Sequence, residues 1–406
     1  MYFTLLGILF LLTVIGLISY RSWLNPVSIF NVVWLVVCFL YGFRLSPNLQ
    51  APLENRTCYL LMLGNIVFTI SCIVVSKISI WPTNLSSVYK TKEITFENIQ
   101  KHFWIWFVLE LFETVYSKGF PIIWALQNNG KTYFDYGIPS VHGFANAYGL
   151  TILTILAYQL FKGDYKKQSK KIVTYILIIL LMYVFMLTRQ VIISAIIQIF
   201  VVYCFLKRKI PWVKILIWTF LIIIAFGLVG NIRTGYYEFL SVAQMDTKVN
   251  PLFVGFYWVY MYLTMTIANL NKLFNMFFTP LGMGYFWSIY LPTALVNSVF
   301  KFNNPVDQSN FLVTQAFNVS GYSADAYISI GIMGIVIMAI IYGIIGGLCY
   351  KKIIRNRSMK NILYYAVYLQ IIVLSFFFNQ LFYLPSGFQF VIIYFLFKNI
   401  KSRGRY

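Results

Sequence analysis

The chain has 406 residues, of which 60% are hydrophobic, 19% aromatic and only 11% charged. Soluble domains carry about 25% charged residues and long apolar runs are typical of transmembrane helices, so this composition excludes an ordinary soluble protein. A net charge of +21 would indicate nucleic acid as a partner of a soluble protein. In a membrane protein it reflects basic cytoplasmic loops, so we expect a polytopic membrane protein that binds no nucleic acid.

Apolar runs separated by polar or charged turns predict an all-α fold with thirteen transmembrane helices in one transmembrane domain, residues 1–406. The first run lacks a basic region before it and a small-residue cleavage site after it, so we expect a span and no cleaved signal. The predicted spans are 2–19, 27–42, 58–77, 103–118, 145–162, 172–188, 190–206, 212–230, 252–270, 278–298, 326–349, 361–379 and 386–398.

The distribution of lysine and arginine predicts how these spans are oriented. Four loops hold 18 basic residues, whereas the loops that alternate with them hold 4. Basic loops stay in the cytoplasm, so we expect the C-terminus inside and, with thirteen spans, the N-terminus outside. Three larger polar segments, 119–144, 231–251 and 299–325, then lie on the outer side, where we expect the function. The basic loops are 162–171, 207–214, 351–360 and 398–405.

Two arginines fall on the predicted outer side, where arginine is rare. Arg189 lies in a short hairpin between two spans, and Arg233 lies at the outer end of the next span but one. Two guanidinium groups at one face suit a diphosphate, whose oxygens accept paired hydrogen bonds. The alternative is that each extends to lipid headgroups. Arg44 and Arg56, in the first outer loop, are expected to be solvated.

Acid–base chemistry is predicted for a pair of glutamates and a histidine. Glu110 and Glu113 are three residues apart inside a span, so both carboxylates lie on one helix face. Carboxylates inside the membrane indicate function, although a salt bridge to an outer arginine would explain them too. His142, at the outer mouth of a span, suits a general base, and its alternative is a loop histidine bonded to the backbone.

A third cluster follows the predicted span 278–298. Asp307 lies in the polar outer loop, and Asp325 and Tyr327 precede Gly331 and Gly334 at the start of a later span. The acids and the tyrosine could hold an acceptor sugar, whereas Asp325 could instead be a first-turn acid that stabilises its helix. The glycines are expected to allow close helix packing.

Several of these segments resemble bacterial oligosaccharide repeat-unit polymerases, the O-antigen and capsule polymerases of the Wzy type. "LTRQVIISAIIQIFVVYCFLKRK" is similar to their arginine followed by an apolar span with a basic end, and "IRTG" to their second arginine region. "LPTALVNSVFKFNNP" and "SADAYISIGIMG" resemble their proline-containing outer loop and the acidic, glycine-bearing start of a late span. The resemblance covers roughly residues 180 to 350, with Asp325 where glutamate is more typical.

The resemblance implies a GT-C-like fold in the bacterial inner (plasma) membrane and a glycosyl transfer that needs no metal or cofactor. The growing glycan, linked to undecaprenyl diphosphate, moves on the outer leaflet onto the sugar of another lipid-linked repeat unit. A flippase and a chain-length regulator are the implied partners. Arg189 and Arg233 would hold the diphosphate and stabilise its negative charge as it leaves. As catalytic base we rank His142 first, Asp325 second, and Glu110 with Glu113 third.

Functions of other classes remain open alternatives. A flippase or other secondary transporter would explain many spans and buried charge, but it should show internal repeats and polar groups at mid-membrane. An O-antigen ligase shares the broad fold and is expected to have one long outer loop. A non-enzymatic assembly partner would leave the outer arginines and acids without a use.

Overall fold

Every regular element of the described chain is a helix. No strand occurs within the described ranges, so the all-α prediction is confirmed. The computed structural model describes residues 1–78, 93–127, 129–213, 216–217, 219–220, 223–224, 236–245, 250, 253–291 and 308–398.

The helices follow one another with short connections. In the first half they are α1 (Tyr2–Tyr20), α2 (Pro26–Tyr41), α3 (Asn55–Lys77), α4 (Phe96–Ser117), α5 (Pro121–Gln127), α6 (Val141–Lys162), α7 (Ser169–Phe185) and α8 (Arg189–Lys207). In the second half they are α9 (Tyr236–Ala243), α10 (Val254–Asn275), α11 (Met283–Tyr290), α12 (Ala324–Ile330), α13 (Ile332–Arg355), α14 (Met359–Val373), α15 (Leu384–Gly387) and α16 (Gln389–Lys398). Short 3-10 helices lie at Tyr133–Asp135, Lys166–Gln168 and Gln308–Phe311.

Six of the described helices are long and apolar enough to cross a membrane. This bears out the prediction of an all-α membrane protein. Three shorter apolar helices, Pro26–Tyr41, Met359–Val373 and Leu384–Lys398, accompany them. The six are Tyr2–Tyr20, Asn55–Lys77, Val141–Lys162, Lys166–Phe185, Arg189–Lys207 and Ile332–Arg355.

The predicted span 326–349 is interrupted, and this prediction was wrong in its start. Gly331 separates α12 from α13 with φ 65° and ψ −144°, a conformation that only glycine adopts readily. The backbone N–H groups of Leu281 and Gly282 donate to the carbonyls of Ile328 and Ser329, at 3.1 and 2.7 Å. The end of α12 is therefore hydrogen-bonded although the helix does not continue.

The chain divides into two compact units, each of which gathers distant segments. Glu110, Glu113, His142 and Arg189 belong to the second unit, whereas Asp325 and Tyr327 belong to the first. The first unit is Met1–Val75, Ile210–Gly347 and Ile372–Gln380, and the second is Ser76–Lys209, Leu348–Ile371 and Leu381–Tyr406.

Close packing of α4, α6 and α7 in the second unit depends on Gly149. A Cβ atom at this position would lie 2.6 Å from Trp106 Nε1 and would also meet the Tyr183 hydroxyl. Trp106 and Tyr183 are fully buried, and Trp106 donates to the Ala145 carbonyl at 3.1 Å. The glycine lets two large aromatic side chains reach the α6 backbone, which fixes the helices that carry the candidate site.

Candidate functional site

Helix α4 has its polar side chains inside the protein and its apolar side chains outside. Glu110 and Glu113 are fully buried, as their three-residue spacing on one face allows. Val108, Phe112 and Val115 are 62%, 59% and 76% exposed on the remaining surface of the helix. A helix that buries carboxylates and exposes large apolar groups is suited to lipid surroundings, with its functional face turned inward.

Glu113 holds His142 in a fixed orientation. The Glu113 Oε2 to His142 Nδ1 distance is 2.9 Å, and the Ile138 N–H donates to Glu113 Oε1 at 3.1 Å. On the far side of the ring, His142 Nε2 lies 2.9 Å from Asn146 Nδ2, one helical turn further along α6. The imidazole is thus held at both nitrogens, while 22% of the His142 side chain is exposed.

The chain segment before α6 is attached to α4 and brings His142 into place. Gly137 has φ 84°, and a Cβ atom there would lie 2.7 Å from the His142 Cβ atom, so glycine is needed on both counts. The Gly137 N–H donates to Ser117 Oγ at 2.8 Å, and the Tyr136 hydroxyl lies 2.8 Å from Thr114 Oγ1. These contacts explain why residues far apart in the sequence meet.

Earlier in the same connection, a side-chain cap stabilises the turn at Tyr133–Asp135. The Thr132 backbone N–H donates to Asp135 Oδ2 at 2.8 Å, and the Thr132 hydroxyl donates to the same oxygen at 3.1 Å. These hydrogen bonds favour the carboxylate, so they lower the pKa of Asp135.

Glu110 has no such partners. Neither of its carboxyl oxygens has a hydrogen-bond partner among the described residues. Glu110, Glu113 and His142 each offer one ligand atom, and these three atoms lie within 4.8 Å of one another. Two buried carboxylates this close require a proton or a cation between them, because like charges cannot both persist there unpaired. Among the described residues Glu113 pairs with His142, so the expected salt bridge to an outer arginine is not seen for it.

Arg189 is the first residue of α8, and hydrogen bonds connect its turn to the histidine. Thr188 donates from its backbone N–H and its hydroxyl to the Tyr183 carbonyl, at 3.2 and 3.1 Å. The Tyr183 hydroxyl in turn donates to the Asn146 carbonyl at 3.2 Å. The guanidinium group therefore stands at a helix N-terminus, where backbone N–H groups already favour anions, and its turn is tied to the residue that holds His142.

An apolar groove of about 380 Å³ lies in the same unit. His102, expected to be a flanking residue of the span, lies in this groove with Nδ1 2.5 Å from the Tyr148 hydroxyl. Apart from this pair the lining is apolar, as a site for an aliphatic chain requires. The other lining residues are Phe144, Phe388, Val391, Ile392, Phe395 and Leu396.

In the first unit, Tyr327 and Arg56 form a smaller polar cluster. Arg56 Nη2 donates to the Tyr327 hydroxyl at 3.1 Å, so the expectation of a merely solvated Arg56 was wrong. Tyr327 is 3% exposed, with its ring edge-on to Phe274. Asp325 lies in the first turn of α12 and is partly exposed.

Arg233 and Asp307 lie outside the described residues. Three residues that contribute to the described clusters were missed by the sequence analysis: Asn146, Tyr183 and Arg56. The spacing of four between His142 and Asn146 in α6 was a usable signal, because such residues share a helix face. Nothing in the sequence connects Tyr183 to Asn146 or Arg56 to Tyr327, which are 37 and 271 residues apart.

Comparison of the chain with known protein families, curated proteins and solved structures finds no match to any of them.

Proposed function

We propose that the protein polymerises lipid-diphosphate-linked oligosaccharide repeat units into a surface polysaccharide. The observation that carries the proposal is the contact between Glu113 and His142, at 2.9 Å, with His142 partly exposed and Asn146 at its other nitrogen. A carboxylate behind an imidazole is the arrangement that prepares histidine to accept a proton from a hydroxyl group.

In the proposed reaction, His142 donates from Nδ1 to Glu113 and accepts the proton of the acceptor sugar hydroxyl at Nε2. That hydroxyl takes the place of the Asn146 amide at Nε2. The oxygen attacks the anomeric carbon of the donor, and the bond to the lipid diphosphate breaks with its electron pair on the phosphate oxygen. Glu113 stabilises the imidazolium ion that results, and the proton then passes to solvent.

The leaving diphosphate is the proposed ligand of Arg189 and Arg233. Support comes from the position of Arg189 at the N-terminus of α8, where its positive charge adds to that of the helix dipole. The hydrogen bonds from Thr188 through Tyr183 to Asn146 favour a fixed spacing between the diphosphate and the base. Asp307, Asp325 and Tyr327 are proposed to hold the acceptor sugar, with Arg56 bound to Tyr327.

The membrane arrangement that goes with this function remains part of the proposal. It has thirteen spans in a GT-C-like fold, a cytoplasmic C-terminus, and the reaction on the outer leaflet of the bacterial plasma membrane. The groove beside His102 and Tyr148 would take an apolar chain of a lipid-linked substrate. The proposed partners are a flippase that delivers the repeat unit and a regulator of chain length.

A proton-coupled transporter is the second candidate, and Glu110 is the observation that favours it. This carboxyl group is fully buried in α4 and has no described hydrogen-bond partner. Buried carboxyl groups of this kind carry protons in membrane transporters. The transporter would use Glu110 and Glu113 to move protons, whereas the polymerase uses Glu113 to orient His142.

Deletion of the gene in its native host tests the two candidates. Loss of polymerase leaves surface glycan one repeat unit long, while loss of a transporter or a ligase leaves no surface glycan. Purified His142→Gln protein should bind the lipid-linked repeat unit and elongate it at least ~100-fold more slowly than wild type. Wild-type elongation by His142→Gln together with an inactive Asp325→Asn would move the base to Asp325.

A further inference from the structure

We propose that Glu110, Glu113 and His142 bind one divalent transition-metal ion. Among the described residues they form the one group of three whose ligand atoms come within range of a shared ion, at 4.8 Å or less. Both carboxyl groups are fully buried, and Glu110 offers two oxygens that no described residue contacts. An unpartnered buried carboxyl group beside a second one and an imidazole is chemically a site for a cation.

The distances fit coordination of a single ion. Zinc binds imidazole nitrogen and carboxylate oxygen at about 2.0–2.2 Å, so neighbouring ligand atoms at 90° lie about 3.0 Å apart. Nδ1 of His142 and Oε2 of Glu113 are 2.9 Å apart. Ligand atoms on opposite sides of an ion are about 4.2 Å apart, close to the upper limit of 4.8 Å for the group.

Charge also favours a divalent ion over a monovalent one. Two carboxylates, one neutral imidazole and one ion of charge +2 form a neutral group, which removes most of the penalty for burying the two negative charges. One nitrogen and two carboxylates suit zinc, manganese or cobalt, whereas magnesium prefers a shell of oxygen atoms.

Asn146 supplies the support that a metal-bound histidine needs. A histidine that binds a metal through one nitrogen donates its other N–H to an acceptor. The Oδ1 atom of Asn146 is buried without a described partner, and its Nδ2 atom lies 2.9 Å from His142 Nε2. Turning the amide over presents Oδ1 to Nε2–H, and His142 then binds the ion through Nδ1.

The metal-bound site is a second state of the proposed catalytic site. With the ion on Nδ1 and a proton on Nε2, His142 cannot accept a proton from a sugar hydroxyl. Zinc therefore inhibits polymerisation, an effect that rests on the proposed function, whereas binding of the ion does not.

The binding test uses full-length purified protein, first freed of metal by a chelator and then dialysed against Zn²⁺. Wild type should bind one Zn²⁺ per chain, and Co²⁺ should give a visible absorption band. Glu110→Gln and His142→Gln should weaken binding at least ~100-fold, and Asn146→Ala about 10–100-fold. Excess Mg²⁺ should not displace Zn²⁺. Glu97→Gln, on the exposed face of the first turn of α4, is the matched control and should bind as wild type does.

Two results would overturn the site: wild type that binds no Zn²⁺ or gives no Co²⁺ band, and Glu110→Gln protein that binds as tightly as wild type. Should Glu110→Gln fail to fold, Asn146→Ala takes its place, and unchanged affinity there rejects the site. Zinc binding by a protein without polymerase activity would leave the site standing and remove the proposed function. Polymerase activity without zinc binding would do the reverse.

Discussion

At the scale of single residues, Glu110 and Glu113 differ although they share one buried face of α4. Glu113 accepts from the Ile138 N–H and contacts His142, while Glu110 contacts no described hydrogen-bonding group. A carboxylate that is already bonded can orient another group without moving. A carboxyl group without partners retains its full capacity to take a proton or an ion, so the two glutamates have different roles.

Arg189 is predicted to act through the shape of its guanidinium group as well as its charge. Arg189→Lys keeps the positive charge but loses the planar fork that binds two phosphate oxygens. In cells with normal protein levels, the variant should lose most polymerisation, measured as glycan length on a gel. Arg208→Lys is the control, because Arg208 is an exposed residue at the opposite end of the same helix.

Normal chain length in Arg189→Lys cells would reduce Arg189 to an anchor of α8. Arg56→Lys no longer serves as a neutral control, as the sequence alone had indicated, since Arg56 donates to Tyr327. If Tyr327 holds the acceptor sugar, the Arg56 variant should show a partial loss.

At the scale of elements, the junction of α12 and α13 depends on two glycines for different reasons. Gly331 has φ 65°, and a Cβ atom there would meet no atom closer than 3.8 Å, so alanine would be strained only by its backbone. Gly334 instead lies against the Ala326 carbonyl, which a Cβ atom would strike. The close packing expected from the sequence applies to Gly334, while Gly331 is needed for its conformation.

Gly331→Ala should therefore destabilise the protein by about 1–3 kcal/mol, the usual range for a non-glycine residue in a rare conformation. Gly334→Ala should lower stability further, because backbone atoms would have to move apart. The measurement is the midpoint of thermal unfolding in detergent. Gly7→Ala, inside α1 with no atom within 4 Å of the added carbon, should leave the midpoint unchanged or raise it. Equal midpoints for Gly331→Ala and wild type would contradict the strain.

Helix positions could be predicted from the sequence more readily than contacts could. Apolar runs placed α1 and α3 within a few residues, because a lipid-exposed helix must be apolar over nearly its whole length. The break at Gly331 was missed because one residue hardly changes the hydropathy of a long window. Glu113 and His142 were both selected, yet their pairing was not predicted, since it depends on a turn 25 residues after Glu113.

At the scale of the whole molecule, the proposed topology places residues 119–144 outside the cell and 162–171 inside. Phe134, 74% exposed, and Lys167, also exposed, are suitable sites for cysteine labels. An impermeant thiol reagent applied to intact cells should label Phe134→Cys and not Lys167→Cys, and permeabilised cells should show both. Wild type gives the background, because four of its five cysteines are buried and the fifth is partly buried. Labelling of Lys167→Cys alone in intact cells would invert the topology and reject the mechanism.

The short apolar helices have a consequence for the surrounding lipid. Helices α2 and α14 contain 16 and 15 residues, which at 1.5 Å per residue makes them about 24 and 22 Å long. The hydrocarbon core of a typical bilayer is about 30 Å thick. If both helices cross it as proposed, hydrophobic mismatch makes the bilayer thin locally around them. Local thinning would bring the headgroup region nearer to polar groups buried in neighbouring helices, and would help a bulky, charged lipid carrier reach them without leaving the membrane.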